Sequence, residues 1–255
     1  MSNASRPAAP ARTLEHQESR PDYSVVVPLY NERDNLGPLR DELVPVMESL
    51  GGSFEVIFVD DGSTDGSAAV LRSLRSADPR IRVLTFERNA GQTAAMAAGF
   101  EAARGAVVVT LDADLQNDPR DIPLLIEKLD GYDAVVGWRG QRRDTWLRRA
   151  SSRIGNAVRN RLSDDDIIDT GCSLKAYRRE ALARIKLFTG MHRFLPTLLK
   201  MEGFRVFQVK VGHRPRLSGD SKYGVRNRLV KSFTDLLAVR WMKRRTLRYR
   251  VTEEE

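Results

Sequence analysis

Two carboxylates one residue apart, Asp112 and Asp114, with an amide two residues further on at Gln116, close an aliphatic run that begins at Val107. The run Val107-Val-Val-Thr-Leu111 has the composition of a strand buried on both faces. In open α/β sheets ligands gather outside the carboxyl ends of the strands, so this all-oxygen cluster stands where a ligand would be met. Its chemistry suits a hard divalent cation, Mg²⁺ or Mn²⁺, shared with a phosphate. The single cysteine, Cys172, and three scattered histidines support neither a zinc site nor a disulfide framework. Cys172 itself reads as a small buried apolar residue rather than a nucleophile.

Two other apolar runs also end in acids, at Pro28-Leu-Tyr-Asn-Glu32 and at Asp60-Asp-Gly-Ser-Thr-Asp65. Taken alone, Asp61-Gly62 reads as a turn followed by a helix cap at Ser63 or Thr64. Three acidic strand ends on one sheet edge read instead as a cleft. Carboxylates there can accept hydrogen bonds from base N–H groups and ribose hydroxyls, and can hold the cation that neutralises a pyrophosphate. The sequence has neither GxGxxG nor a Walker A lysine motif, so phosphates must be met by metal and basic side chains.

The elements that position these ends follow from the alternation of apolar runs with amphipathic stretches. Strands are expected at 24–28, 54–59, 81–86, 106–111 and 132–136. Helices are expected at 35–50, 64–75, 91–104 and 119–129, the last opened by Asp118-Pro119 as cap and first turn. That order predicts a mostly parallel, Rossmann-like sheet flanked by helices. Beyond it, 138–161 reads as an amphipathic helix with an arginine face, holding eight Arg and one Asp. Further on come a strand within 169–177, a short helix at 194–201, a strand at 205–211, a basic loop at 213–223 and a last helix at 225–243.

At 255 residues and 41% hydrophobic, the chain can bury one large α/β core. Residues 1–22 read as a flexible leader, 23–224 as the folded domain and 225–255 as a basic amphipathic helix and tail. The net charge of +8 is concentrated late, because residues 222–250 carry ten Lys/Arg against one Asp. No run of about 18 apolar residues occurs, and the N-terminus lacks the apolar core of a signal peptide. The expectation is therefore a cytoplasmic protein, peripheral on the cytoplasmic face of a membrane.

The motifs Pro28-Leu-Tyr-Asn-Glu32, Val59-Asp-Asp-Gly-Ser-Thr-Asp65, Asn89-Ala-Gly91 and Asp112-Ala-Asp-Leu-Gln116, in this order and spacing, resemble the GT-A glycosyltransferases of family 2. Within that family the chain is most similar to the dolichyl- or polyprenyl-phosphate mannose synthase type, here without transmembrane helices. The resemblance implies the GT-A fold and a nucleotide-sugar donor, GDP-mannose or a UDP-hexose, with mannose as the leading sugar. Pro28, Tyr30, Glu32, Val59 and Asp61 would surround base and ribose, and Ala113 would lie beside the diphosphate. Asp112, Asp114 and Gln116 would be the metal set. Arg216 and Lys222 would close over the donor diphosphate.

By the same resemblance Arg139, Arg148 and Ser152 would hold the phosphate of a polyprenyl acceptor, for which guanidinium forks are suited. Asp114 and Asp169 would be the catalytic carboxylates, with Asp169 either a base or an orienter of an arginine. A phosphate nucleophile is already anionic, so a strong base is not required. The reaction expected is inverting transfer to a lipid phosphate. A family 2 enzyme with a saccharide hydroxyl acceptor would need an explicit base and no arginine cluster. A nucleic-acid-binding role, suggested by the basic tail, leaves the acidic strand ends unexplained.

In the last helix Leu229, Val230, Phe233, Leu236, Leu237, Val239, Trp241 and Met242 interleave with Arg228, Lys231, Arg240 and 243–245. That pattern suits the interface of an anionic membrane surface, or an integral membrane partner there. The other reading is a helix docked on the domain.

Overall fold

The computed structural model describes residues 20–140, 166–215 and 225–245, with side chains of the last helix from Thr234 onward. Among these residues seven strands form one sheet. β1 (Tyr23–Leu29), β2 (Phe54–Asp60), β3 (Ile81–Thr85), β4 (Val107–Thr110), β5 (Ala134–Arg139), β6 (Lys175–Arg178) and β7 (Val206–Val211) lie in the order β3-β2-β1-β4-β6-β5-β7. β6 is antiparallel to both its neighbours, and every other pairing is parallel. The expected mostly parallel α/β sheet is therefore the observed one.

The connecting helices α1 (Arg33–Ser49), α2 (Ser67–Ala77), α3 (Gln92–Ala102) and α4 (Ile122–Lys128) cover both faces. Alternate residues of β1 show why. Val25, Val27 and Leu29 pack with Leu36, Leu39, Leu43 and Met47 of α1 and Leu71 of α2. Val26, with Ile57, Val59 and Val108, packs instead with Ala95 and Met96 of α3 and Leu195 of the helix Leu195–Met201. A strand buried on both sides cannot show polar alternation, which is why these runs read as continuously apolar.

Because β2, β1 and β4 are parallel neighbours, their carboxyl ends lie along one edge. Leu29 is paired with Asp60, and Val26 with Thr110. Three acidic motifs far apart in sequence thus meet there.

Several boundaries moved, each for a local reason. α2 starts at Ser67 rather than Thr64, because Asp65 accepts from the Ser67 amide and hydroxyl and Gly66 turns the chain at φ 93°. Asp118 does cap the next turn, accepting from the Arg120 amide. That turn is 3₁₀ at Pro119–Asp121 before α4 begins. β5 runs to Arg139, so Trp138 and Arg139 are strand, and 141–161 of the expected arginine helix lie outside the described residues. The expected strand at 169–177 shrinks to Lys175–Arg178, since Asp169 accepts from the Gly171 amide and closes a turn instead.

The last helix, Val225–Arg245, sets Leu236 and Val239 into a cluster with Met191, Phe194 and Leu198, with Met242 at its margin. Leu237 and Trp241 point away, 44% and 63% exposed. Among the described residues no helix is long and apolar enough to cross a membrane.

Candidate active site

The ends of β1 and β2 are stitched together by their own polar groups. The Asn31 amide donates to Ser63 Oγ at 2.8 Å, the Thr64 amide to Asn31 Oδ1 at 2.7 Å, and the Arg33 amide to Asp65 Oδ2 at 3.0 Å. Asp60 Oδ1 accepts from the Ser63 amide at 2.9 Å. Asp61, 3% exposed, accepts from Asn89 Nδ2 and from the Ala90 and Gly91 amides. Its carboxylate therefore fixes the turn into α3, a structural role different from the local turn and cap at Ser63 or Thr64 that its sequence context suggests. Glu32 Oε2 accepts from Asn35 Nδ2 at 2.6 Å. Val59 is buried in the core, Pro28 is buried and lines the cleft, and Tyr30 is partly exposed.

At the end of β4 the backbone is under constraint. Leu115 holds φ at +60°, a region costly for a leucine, whereas Asn31 at +54° on the neighbouring strand end is a residue that tolerates it. Asp112 Oδ1 accepts from Gln92 Nε2 at 2.9 Å, and Asp114 Oδ1 from the Gln116 amide at 3.2 Å. Ala113 between them is buried in the core and Asp114 is only 6% exposed, so Asp112 is the acid of this loop that lines the cleft. Ser173 ties this loop to the segment that precedes β6. Its Oγ accepts from the Asp112 amide and from Asn117 Nδ2, and its carbonyl accepts from Thr110 Oγ1.

Burial, and after it the Asp114 charge, pushes the Asp112 carboxyl up to about 6. A divalent cation would relieve that repulsion. Among the described residues no group of three His, Cys, Asp or Glu is gathered to hold a metal. Two carboxylates, an amide and substrate phosphate oxygens are, however, the usual Mg²⁺ arrangement. By their chemistry Asp112, Asp114 and Gln116 are the residues that could hold such a cation.

The raised Asp112 pKa has a testable sign. With the folded value above the unfolded one, the ionised carboxylate weakens the free fold at neutral pH, and the penalty fades as pH falls through about 6 toward the ordinary range. In chelator, Asp112→Asn should therefore melt higher than the parent at pH 7. The difference should shrink as pH falls through about 6 and close only below about pH 3, where the carboxyl is protonated in both states. Melting curves across pH check this, and a variant less stable than the parent at pH 7 contradicts it.

Arg139 closes the other side. Its Nε and Nη2 reach Asp169 Oδ2 and Oδ1 at 2.6 and 2.9 Å, and its amide donates to Asp169 Oδ2 at 3.3 Å. Both side chains are largely buried, 14% and 17% exposed. Burial pulls the guanidinium down, but the fork to Asp169 and its charge raise it overall. Arg148, Ser152, Arg216 and Lys222, the other expected phosphate contacts, lie outside the described residues.

Between these groups opens a pocket lined by Pro28, Gln92, Asp112, Thr170, Lys175, His192 and Arg193 among others. Sequence reading missed Gln92, Ser173, Lys175 and His192. His192 Nδ1 lies 2.6 Å from Thr93 Oγ1, which itself accepts from the Gly190 amide. Lys175 opens the short strand Lys-Ala-Tyr-Arg, in which no local pattern singles it out. Cys172 is buried, and burial pushes its thiol up to about 11, so it stays neutral and unreactive.

Known proteins place this arrangement. Residues 24–186 match the family described as glycosyl transferase family 2. The chain is 39% identical over 229 residues to the dodecaprenyl-phosphate galacturonate synthase of Rhizobium johnstonii, covering 88% of this chain and 68% of that one. It is 39% identical over 216 residues to the undecaprenyl-phosphate 4-deoxy-4-formamido-L-arabinose transferase of Edwardsiella ictaluri, covering 84% and 66%. It thus spans about two thirds of the length of these relatives.

Among solved structures, the glucosyl-3-phosphoglycerate synthase of Mycobacterium tuberculosis with Mn²⁺, uridine diphosphate and phosphoglyceric acid superposes with TM-score 0.66 at 21% identity, covering 88% and 78%. The mannosyltransferase PcManGT of Pyrobaculum calidifontis with GDP-Man and Mn²⁺ gives 0.61 at 22%, covering 89% and 65%. At such identities these two share the fold. With the family matched over more than half of the chain and two relatives at 39% identity, this protein belongs to glycosyl transferase family 2.

Proposed function

We propose that this enzyme moves a sugar from a nucleotide-diphosphate sugar to a polyprenyl phosphate, inverting the anomeric centre, with Mg²⁺ or Mn²⁺ at Asp112, Asp114 and Gln116. The observation that carries the proposal is the Arg139 fork, held by Asp169, whose chain neighbours Thr170 and Gly171 line the same pocket as Asp112. A saccharide hydroxyl acceptor would need a base, and both oxygens of Asp169 are taken up by Arg139. The names of the two curated relatives support a lipid-phosphate acceptor. They pair it with galacturonate and a formamido-arabinose, so mannose is one donor sugar to test rather than the favoured one.

In this mechanism Arg139 orients the acceptor phosphate and offsets its charge as it nears an anionic donor. Asp112, Asp114 and Gln116 would hold a cation whose charge would offset that of the departing nucleoside diphosphate. Pro28, Tyr30, Glu32, Val59 and Asp61 frame the nucleotide end. Arg148, Ser152, Arg216 and Lys222 add phosphate contacts, as the family resemblance implies.

Thermal-shift screening of GDP, UDP and their sugars, including GDP-mannose and the UDP-uronates, with Mg²⁺ or Mn²⁺, tests this. A diphosphate at about 100 times its Kd adds about 2.7 kcal/mol. For a domain of this size that is roughly 5–11 °C. Asp114→Ala should remove the metal-dependent part, and its persistence in that variant would count against the metal set. Transfer to a polyprenyl phosphate should give the inverted linkage; a retained one sinks the mechanism.

The enzyme would work at the cytoplasmic face of a membrane, with residues 225–255 as its contact. Leu237 and Trp241 face outward beside Arg244 and Arg245, which are also exposed, while the opposite side of the helix docks on the domain. Trp241→Ala should weaken flotation with anionic vesicles and leave nucleotide binding intact. Flotation equal to that of the parent refutes the contact.

A further inference from the structure

Lys175 has no part in the mechanism above, yet it is 3% exposed and lines the active-site pocket. It sits on β6 opposite Thr110, at the base of the loop that carries Asp112. Among the described residues its ammonium makes no hydrogen bond and no ion pair. Burial pulls its pKa below the ordinary lysine value, and Cys172, Asp112 and Asp169 oppose that pull. None of the three is available to pair with it during the reaction. Cys172 is a neutral thiol, Asp169 is bound by both oxygens to Arg139, and Asp112 is committed to the cation in the proposed mechanism.

A buried ammonium without a hydrogen-bonded partner is costly, and a fold retains one where something else supplies the anion. With cation bound at Asp112, Lys175 faces the pocket as a second fixed positive charge, with Arg193 also on the lining. The geometry points to Lys175 as the floor of an anion subsite beside Asp112, receiving a carboxylate or phosphate oxygen of a reactant.

This rests on the proposed function for its two sources. One is the acceptor phosphate, shared with Arg139. The other is a carboxylate carried by the donor sugar, as in a uronic acid. Either gives a charge-assisted hydrogen bond in a place where water is displaced.

Lys175→Met retains length and volume and removes the charge. A merely structural lysine would be missed by the fold. A ligand-binding one is expected to leave a variant that melts at or above the parent temperature. Inorganic phosphate should raise the melting temperature of the parent and not of Lys175→Met, and Lys175→Arg should restore the response. Lys175→Gln serves if the methionine variant does not fold. UDP or GDP with Mg²⁺ should bind parent and variant alike.

In turnover, the variant should show a change of at least about tenfold in one of two places. A higher KM for polyprenyl phosphate, with sugar preference unchanged, assigns the subsite to the acceptor. A lost preference for a UDP-uronate over the matching UDP-hexose, with acceptor KM unchanged, assigns it to the donor sugar. Equal phosphate stabilisation of parent and variant, or unchanged constants for both reactants, overturns the inference. If the parent binds no nucleoside diphosphate, the proposed function fails, while the phosphate response still reports on Lys175.

Discussion

Asp169→Asn is expected to lower kcat/KM for a polyprenyl phosphate roughly 10²-fold while nucleoside diphosphate binding stays at the parent level. The carboxylate grips Arg139 through two oxygens, at 2.6 and 2.9 Å, in a place where neither side chain is well hydrated. An amide keeps one acceptor oxygen and turns an N–H₂ toward the guanidinium. One charged hydrogen bond and the ionic attraction are lost together, worth about 3 kcal/mol. That energy corresponds to the factor stated. The loop leaves little room to adjust, since a Cβ at Gly171 would already stand 2.9 Å from Arg139 Nη2.

The kinetic form of the loss separates two roles for Asp169. A positioning residue acts through Arg139, so the acceptor KM should carry most of the change and the pH profile of kcat should keep its shape. A general base would instead lose kcat, and the acidic limb of the profile would disappear. A double-mutant cycle with Arg139→Ala adds a second reading. Because the two groups touch, the double variant should be little worse than Arg139→Ala alone. Additive losses would show that Asp169 acts independently of the arginine.

What could be read from the sequence, and what could not, divides along the distance between partners. β1, β2 and β4 announce themselves through unbroken apolar runs, and their acidic ends through the residues that follow. Order in a parallel sheet then brings Glu32, Asp61 and Asp112 to one edge without further information. The pocket wall has no such signature. Asn117 meets Ser173 across 56 residues and the Asp112 amide meets it across 61, pairings that leave no mark on local periodicity. β6 is four residues long and antiparallel, too short for a pattern of its own. Asp61 shows the opposite difficulty. Its type suits both a nucleotide contact and a turn, and only the amides of 90 and 91 reveal how its carboxylate is engaged.

Glu55→Ala is expected to cost about 3 kcal/mol of stability, though Glu55 lies at the opposite edge of the sheet from the cleft. In Phe-Glu-Val-Ile-Phe-Val-Asp it looks like the polar position of a half-exposed strand, yet every residue of β2 is buried. Its Oε1 accepts from Ser24 Oγ at 2.7 Å and from the Arg104 amide at 2.8 Å, and its Oε2 from Arg82 Nη1 at 2.6 Å. Arg82 also donates to the Ala102 carbonyl, so one carboxylate joins β1, β2, β3 and the end of α3. The chain after α3 passes so close that a Cβ at Gly105 would lie 2.6 Å from the Ser24 nitrogen. Removing one partner of a buried pair costs about 3–5 kcal/mol, and Arg82 at 29% exposure can regain water, which places the loss at the lower end. At about 2–4 °C per kcal/mol, melting should fall by roughly 6–12 °C.

Burial alone would raise the Glu55 carboxyl, but the bonds from Ser24, Arg82 and the Arg104 amide outweigh it and hold the pKa below its ordinary value. The stabilisation is therefore present above the ordinary carboxylate range and lost as pH falls through the folded value. The gap between parent and Glu55→Ala should be full at pH 7 and shrink in acid, the reverse of the Asp112→Asn trend in sign, because here it is the charged form that the fold favours. A gap that persists unchanged into acid would mean that packing, rather than charge, holds this corner together.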